Sequence, residues 1–474
     1  MAENFPTPAH DAPPASTPRL SLGRKLLYAA ILTSFAFALL LGGLELTLRL
    51  IGYGHSTHFA RLEKLPDGSV VWRENRDCTA PFFSEALVRR PQSFRLTEKK
   101  KPGTIRIFIL GSSAAMGDPE ASFSISRLLE TQLRAAYPDK SFEVVNAAVT
   151  AINSHIVRGI AEDSRNSSPT SSSSTRGTDE VIGPFGPAGV FTGFLRSERA
   201  VRFAIWLKST RTGQLIASLG QRSSPEKWGG MEMFLHQQIP ADDPRLDIVR
   251  AHFRDNLRAI VASADRAGAS TILCTTLANQ RDFAPFLSLH RPGLTTGQLA
   301  EWEKGFATGN SAILANDTAR AETAYRAALA IDDRHAELNF RLARALVPTG
   351  MQQDETRMRF QRALDLDALR FRADSSLNEI IRTLPASLTN SRVRVIDLNS
   401  PLGEAVHSRL PHRQQTPLRT RSSHVPRRAG RRRRTFPRRR RRTRSAKASA
   451  QTPTVVGTAS RRWRSPESPR LHGL

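Results

Sequence analysis

The sequence predicts an α/β protein built on a parallel sheet, and three observations carry that prediction. The apolar run "TIRIFILGSS" (104–113) ends in a Gly-Ser turn, as a buried strand entering a loop does. "SFSISRLLETQLRAAYP" (122–138) then sets Ile125, Leu128, Leu129 and Leu133 at helical spacing and stops at Pro138, and "FEVVNAAVTAINS" (142–154) reads as a second strand and its loop. Strand–helix–strand order of this kind begins a parallel sheet. Further along, "STILCTTLA" (270–278) and "VRVIDL" (393–398) supply more strands, with "DIVRAHFRDNLRAIVASADRAG" (247–268) a helix before the first of them. At 474 residues and 39% hydrophobic composition the chain can hold two or three cored domains.

The elements follow in order. Residues 1–23 are polar and Pro-rich, which predicts a disordered cytoplasmic leader. Leu26 to Leu44 are 19 uncharged, mostly apolar residues, enough to cross a hydrocarbon core. The predicted membrane helix is 26–48. Arg19, Arg24 and Lys25 precede it, so the positive-inside rule puts the bulk of the chain on the extracytoplasmic, periplasmic side. A cleaved signal peptide is the rival reading, but no convincing small-x-small site follows the run. The stretch to Pro102, with Trp72, Phe82 and Phe83, has no assignment. An α/β domain is expected over 103–300, a helical segment over 301–385 and a last strand within 390–404. In the helical segment "AETAYRAALAIDD" (321–333) echoes in "MRFQRALDLDA" (358–368), setting Tyr325 over Phe360, Ala328 over Ala363 and Asp332 over Asp367. The offset of 35 is close to the period of a tetratricopeptide repeat. Two units at most are present, so the block is expected to pack on the α/β domain.

Charge is confined. The net charge is +27, and residues 405–474 carry 21 Arg and Lys against one acid, Glu467. The rest is near neutral, so this is an ordinary protein with a basic tail, expected to be disordered. Cys78 and Cys274 make no disulfide framework and no metal-ligand spacing, and no cofactor is implied.

"ILGSSAAMGDP" (109–119) is the strongest chemical signal. A Gly-x-Ser at the C-terminal end of a sheet strand puts a hydroxyl where α/β folds bind ligands. The following turn offers backbone N–H groups to an oxyanion. Ala115 replaces the last Gly of a nucleophile elbow, and the Lys of a phosphate-binding loop is missing. Taken alone, such a serine is more often a helix cap than a nucleophile.

"RIFILGSSAAMGDP" followed by "FEVVNAAVTAINSH" resembles the SGNH (GDSL-like) esterase family, in its bacterial membrane-anchored form with a tetratricopeptide-like insert. "VIGPFGPAGVFTG" (181–193), "KWGGMEMFLHQQI" (227–239) and "FAPFLSLHRPGL" (283–294) fit it too. The resemblance spans about Ile105 to Leu398 and implies a flavodoxin-like, three-layer parallel sheet and serine ester hydrolysis or acyl transfer. It maps the nucleophile onto Ser113 and an oxyanion N–H, usually from Gly, onto Ala151. Two blocks depart from the family. A Gly-x-Asn, whose Asn is another oxyanion donor, should follow a strand near 175. An acid with a His three residues on should stand near the C-terminus. Neither is present. His155 and His290 are the tempting substitutes for the base, and each reads as structural from its position.

The missing third strand should lie within "DSRNSSPTSSSSTRGTDEV" (163–181), which by composition reads as a flexible linker. Serine is mostly encoded by TCN, and a frame that takes each wobble base with the next two turns every TCN into NTC. That triplet encodes only Phe, Leu, Ile or Val. Ser171 to Ser174 then become four apolar residues, Gly177 can stay Gly and Thr178 can become Asn. "TPLRTRSSHVP" (416–426) can likewise yield Glu-x-x-His, with the His at Ser422, though its bases are less constrained. Residues about 164–178 and 405–474 are therefore expected to be out of frame relative to an ancestral hydrolase.

The expected partners are a membrane, through a single-pass anchor, and a small ester or acylated glycan. A protein could also bind the helical repeat. Nucleic-acid binding by "RRAGRRRRTFPRRRRRTR" (427–444) is the competing reading of the tail, and the predicted topology argues against it. With the Gly-x-Asn block missing and the segment from 405 onward expected out of frame, the chain is expected to be catalytically inactive or nearly so. A non-enzymatic scaffold with a vestigial α/β domain is the alternative.

Overall fold

Helix α1 runs from Leu22 to Leu50, longer at both ends than the apolar stretch alone predicts. A computed structural model describes residues 21–84, 87–175, 179–190, 192–220, 230–349, 353–389 and 392–399. Within it the apolar window of α1 is wholly exposed, so α1 is not a core helix, and it is long and apolar enough to cross a membrane. Contact with the rest of the protein begins at its last turns. Leu48 is buried, and the Glu45 carboxylate accepts the N–H groups of Arg211 at 3.0 Å and Thr212 at 2.8 Å, with the Thr212 hydroxyl at 3.0 Å.

The unassigned stretch after α1 forms an antiparallel sheet of β1 (Ala60–Lys64), β2 (Val70–Glu74) and β3 (Arg95–Thr97), in that order. Its β1–β2 turn is "LPDGS", where Gly68 has φ +83° and Asp67 accepts the Ser69 N–H. Phe59, Phe82, Phe83 and Leu96 from this region join the main core beside Phe108 and Val145.

The main sheet is parallel, in the order β5-β4-β6-β7-β8. Its strands are β4 (Ile105–Gly111), β5 (Phe142–Asn146), β6 (Ser171–Thr175), β7 (Ser270–Cys274) and β8 (Val393–Ile396). The serine run is therefore the central strand. It pairs with β4 from Ile107–Ser171 to Gly111–Thr175 and with β7 from Ser171–Ser270 to Thr175–Cys274. A linker by composition is thus a strand by position, because the N–H and C=O rows of β4 and β7 both need a partner. Buried parallel strands ordinarily carry Val, Ile and Leu.

Helices α4 (Ser154–Ser164) and α7 (Arg245–Arg266) cover one face, packing Ile156, Val157, Ile160 and Ile260 on Phe108 and Leu110. On the other face α3 (Ile125–Ala136) meets the β4–β5 side, with Leu129 against Ile107, Ile109 and Val144. Over β7 and β8 that face is open among the described residues: Ile272 is half-buried, and Arg394 and Ile396 are exposed. The predicted third layer is thus only partly built here. The tail expected after residue 404 lies outside the described residues, as do 1–20 and 176–178.

Between β6 and β7 also lie α5 (Glu198–Ser209) and α6 (Arg211–Gly220). Between β7 and β8 come α8 (Thr296–Leu314), α9 (Thr318–Ile331), α10 (Ala336–Leu346), α11 (Gln353–Asp365) and α12 (Ser375–Thr383). The helical block starts a few residues before the expected 301. Its last helix belongs to the α/β core, where Leu377, Ile380 and Ile381 pack on Phe253, Leu257 and Leu273. The 35-residue echo has a structural counterpart. Asp332 accepts the N–H of Arg334, two residues on, and of Arg291; Asp367 accepts those of Leu369, two residues on, and of Phe286 and Leu287. Each buried carboxylate thus ties a helix end to the same 283–291 loop.

Candidate active site

Ser113 stands where the sequence places it, one residue past the turn that ends β4. Ser112 is extended (φ −108°, ψ −151°) and Ser113 opens the short helix α2 (Ser113–Met116). The Ser113 carbonyl accepts the N–H groups of Gly117 and Asp118, so the turn is closed on itself. Gly117, at φ +87°, allows it to approach α3, since a Cβ there would sit 2.7 Å from Ser124 Cα. Ser113 itself is half-buried, which leaves its side chain accessible at the C-terminal edge of the sheet.

The loop after β5 is held against this turn. Ala147 donates to the Ile109 carbonyl at 2.8 Å and Val149 to Gly111 at 3.2 Å, prolonging the pairing with β4 beyond the strand end. The Thr150 hydroxyl donates to Asp118 Oδ2 at 3.0 Å. Ala151, next in line, has φ +61°, in the left-handed region that favours glycine. An L-residue there carries on the order of 1–2 kcal/mol of strain. The loop therefore adopts a backbone suited to Gly while carrying Ala. Among the described residues neither the Ser113 nor the Ala151 N–H is taken up by a turn or loop backbone hydrogen bond.

A buried polar network lies behind this loop, and the sequence did not reveal it. Glu180 accepts the Ser154 N–H at 2.8 Å and its hydroxyl at 2.7 Å, placing an anionic group at the start of α4. Asn256 of α7 donates to the Ser154 hydroxyl at 2.9 Å and faces His155 Nδ1 at 2.9 Å. Asn153 donates to the Pro184 carbonyl at 2.6 Å, while its Oδ1 is buried without a partner. Three segments distant in sequence assemble this group, so no local motif signals it.

Neither substitute histidine is hydrogen-bonded to Ser113. His155 is buried, and burial, with the neighbouring His252 adding to it, pushes its pKa down to about 3. So low a basicity suits a neutral structural group and not a general base near neutral pH. His290 bonds Asp332 at 2.9 Å and packs edge-on to Trp302 with ring centroids 4.5 Å apart, within the helical block. No side chain among the described residues hydrogen-bonds the Ser113 hydroxyl. Positions 177 and 178, where the shifted reading puts Gly and Asn, lie outside the described residues, as does Ser422.

A cleft of about 220 Å³ lies elsewhere, between α4, α5 and the loops around His58 and Thr79, and includes neither Ser113 nor Ala151. Among the described residues no group of three His, Cys, Asp or Glu could hold a metal ion. Among the described residues the arrangement offers a hydroxyl and two N–H groups, without a base in hydrogen-bond reach; Glu404 and His407 lie outside them. No protein-family model, curated protein or solved structure matches the chain.

Proposed function

We propose that the chain descends from SGNH-type serine ester hydrolases, anchored in a membrane with the bulk extracytoplasmic, and that as written it has lost turnover. The juxtaposition of Ser113 with Ala151 carries this reading: the residue expected to lend an oxyanion N–H sits at φ +61°, a backbone made for the usual Gly of that block. In an intact relative Ser113 would attack an ester carbonyl and a His would take its proton. The Ser113 and Ala151 N–H groups and an Asn side chain would hold the oxyanion.

The central position of β6 supports the lost-block reading. Its serines occupy the slot where that fold needs an apolar strand ending in the Asn block. Beside Ser172 lies a narrow, partly open void of about 10 Å³ bordered by Phe108, Leu110, Ile260 and Ala264 and by the polar Ser164, Arg165 and Ser263. The twin roles of Asp332 and Asp367 favour a tetratricopeptide-like reading of the helical block. Losing one oxyanion donor costs about 2.7–4 kcal/mol in a comparable hydrolase, and losing the base in addition leaves little catalysis.

Hydrolysis of a p-nitrophenyl ester tests the reading. The wild-type chain should match Ser113→Ala; turnover that disappears in Ser113→Ala would overturn the claim of inactivity. The lineage rests on the nucleotide sequence across codons 160–182 and 400–426, and falls if no other frame yields an apolar strand or a Glu-x-x-His. The intact helical pair favours a second reading, a scaffold that binds a protein partner through residues 316–374. Partner binding independent of Ser113 but lost on changes in that block would favour it.

A further inference from the structure

We propose that the α5–α6 hairpin lies on the surface of the bilayer that α1 enters, with Phe203, Trp206, Ile216 and Leu219 in the interface. On α5 the exposed residues Arg199, Arg202, Phe203 and Trp206 follow the i, i+3, i+4, i+7 spacing of one helical face. Phe203 and Trp206 lie side by side with their rings tilted and centroids 5.5 Å apart, yet are 61% and 58% exposed. On α6, Ile216 and Leu219 are one turn apart and 57% and 77% exposed. Four large apolar side chains on two adjoining helices make an unusual expense of water-exposed surface for a soluble domain.

The position of the hairpin identifies what covers it. Glu45 lies one residue past the apolar stretch of α1, and its carboxylate caps the first turn of α6. Tyr53 reaches Ser218 at 3.2 Å, and Gln214 exchanges hydrogen bonds with both backbone groups of His55. The hairpin is thus fixed at the height where α1 leaves the hydrocarbon, beside Leu50 and Ile51, which are 79% and 70% exposed. Its charge suits a lipid surface as well. Arg199 and Arg202 are exposed on the same face as Phe203 and Trp206, and basic groups near an anionic lipid surface are attracted to it, while Lys208 turns inward to the Pro81 carbonyl. Aromatic residues at headgroup depth with basic residues alongside are the composition of an interfacial helix.

The inference rests on α1 being membrane-embedded, so the test monitors both. Phe203→Cys, Leu219→Cys, Phe37→Cys in α1 and Met358→Cys on α11 are each labelled with an environment-sensitive fluorophore in the full chain; the native Cys78 and Cys274 are buried. The labelled chains are reconstituted into phosphatidylcholine–phosphatidylglycerol vesicles with and without doxyl-labelled lipid. Doxyl lipid should quench positions 37, 203 and 219 at least two-fold and leave 358 unchanged. Quenching at 37 but not at 203 and 219 overturns the interfacial hairpin and leaves the anchor standing. No quenching at 37 removes the anchor and the proposal with it. A blue shift at 203 and 219 without lipid quenching also overturns it, by showing that a protein covers the face.

Discussion

Two neighbouring strands of one sheet, β4 and β6, do the same work with opposite means. Both are parallel and paired in register over five residues. In β4, Phe108, Ile109 and Leu110 are at most 2% exposed and knit the cores on both faces. In β6, Ser172 meets Thr271 across 3.4 Å and Ser173 meets Cys274 across 3.9 Å, contacts too long to add much. Backbone pairing sets where β6 lies, while packing energy comes from its neighbours. A slot in a sheet can therefore be specified by its surroundings when its own residues argue against it.

Four experiments break or sharpen this contrast. The largest effect is expected from giving β4 the chemistry of β6: Phe108→Ser should cost about 4 kcal/mol in denaturant titration, the range of large core truncations. A loss under about 1 kcal/mol would mean that β4 packs no better than β6. Next is acid sensitivity, which tests the core on the α4–α7 side. The folded pKa of His155, about 3, lies below its ordinary 6.5, so the unfolded chain takes up the proton first as pH falls. Its contribution is intact above pH 6.5 and is lost between there and about pH 3, at up to about 1.4 kcal/mol per pH unit. His335 in the helical block, pushed down to about 4 chiefly by burial, adds a slope of the same sign. His155→Gln should therefore flatten the acid slope of stability without abolishing it.

Filling the void is a smaller change. Ser172→Val should stabilise by about 1 kcal/mol, since it exchanges a poorly bonded buried hydroxyl for two methyls. Destabilisation would show that the strand is already as well packed as its slot allows. The smallest effect belongs to Ala151→Gly. Relief of left-handed strain is offset by the greater freedom of Gly in the unfolded chain, and stability should change by less than about 0.5 kcal/mol.

The four apolar strands were legible because runs such as "IRIFILG" and "STILC" admit few other readings. β6 was not legible from composition; the slot betrayed it, through the order of blocks around it and the effect of a frame change on serine codons. β1 to β3 are not legible although "LPDGS" is plain turn chemistry, because β1 and β2 lack a clean alternation and β3 is only three residues long. In the site, Ser113 and Ala151 were readable as motif positions. Glu180, Asn256 and the uncapped side of Asn153 were not, since only the folded chain brings α4, α7 and the 179–190 loop together. The buried twins Asp332 and Asp367 show the converse case, where sequence periodicity pointed to residues with matching jobs.

The clamp of Glu45 on α6 has a mechanical consequence. A domain on a flexible stalk nods and swivels freely, and the thickness of the membrane beneath it is of no account. Where α1 spans a bilayer, as proposed above, the Glu45 clamp ties it to the body, so a lean of α1 becomes a lean of the sheet. Hydrophobic helices lean more in thin bilayers than in thick ones. On that proposal, lipid composition would set the angle at which the mouth of the sheet meets its surroundings.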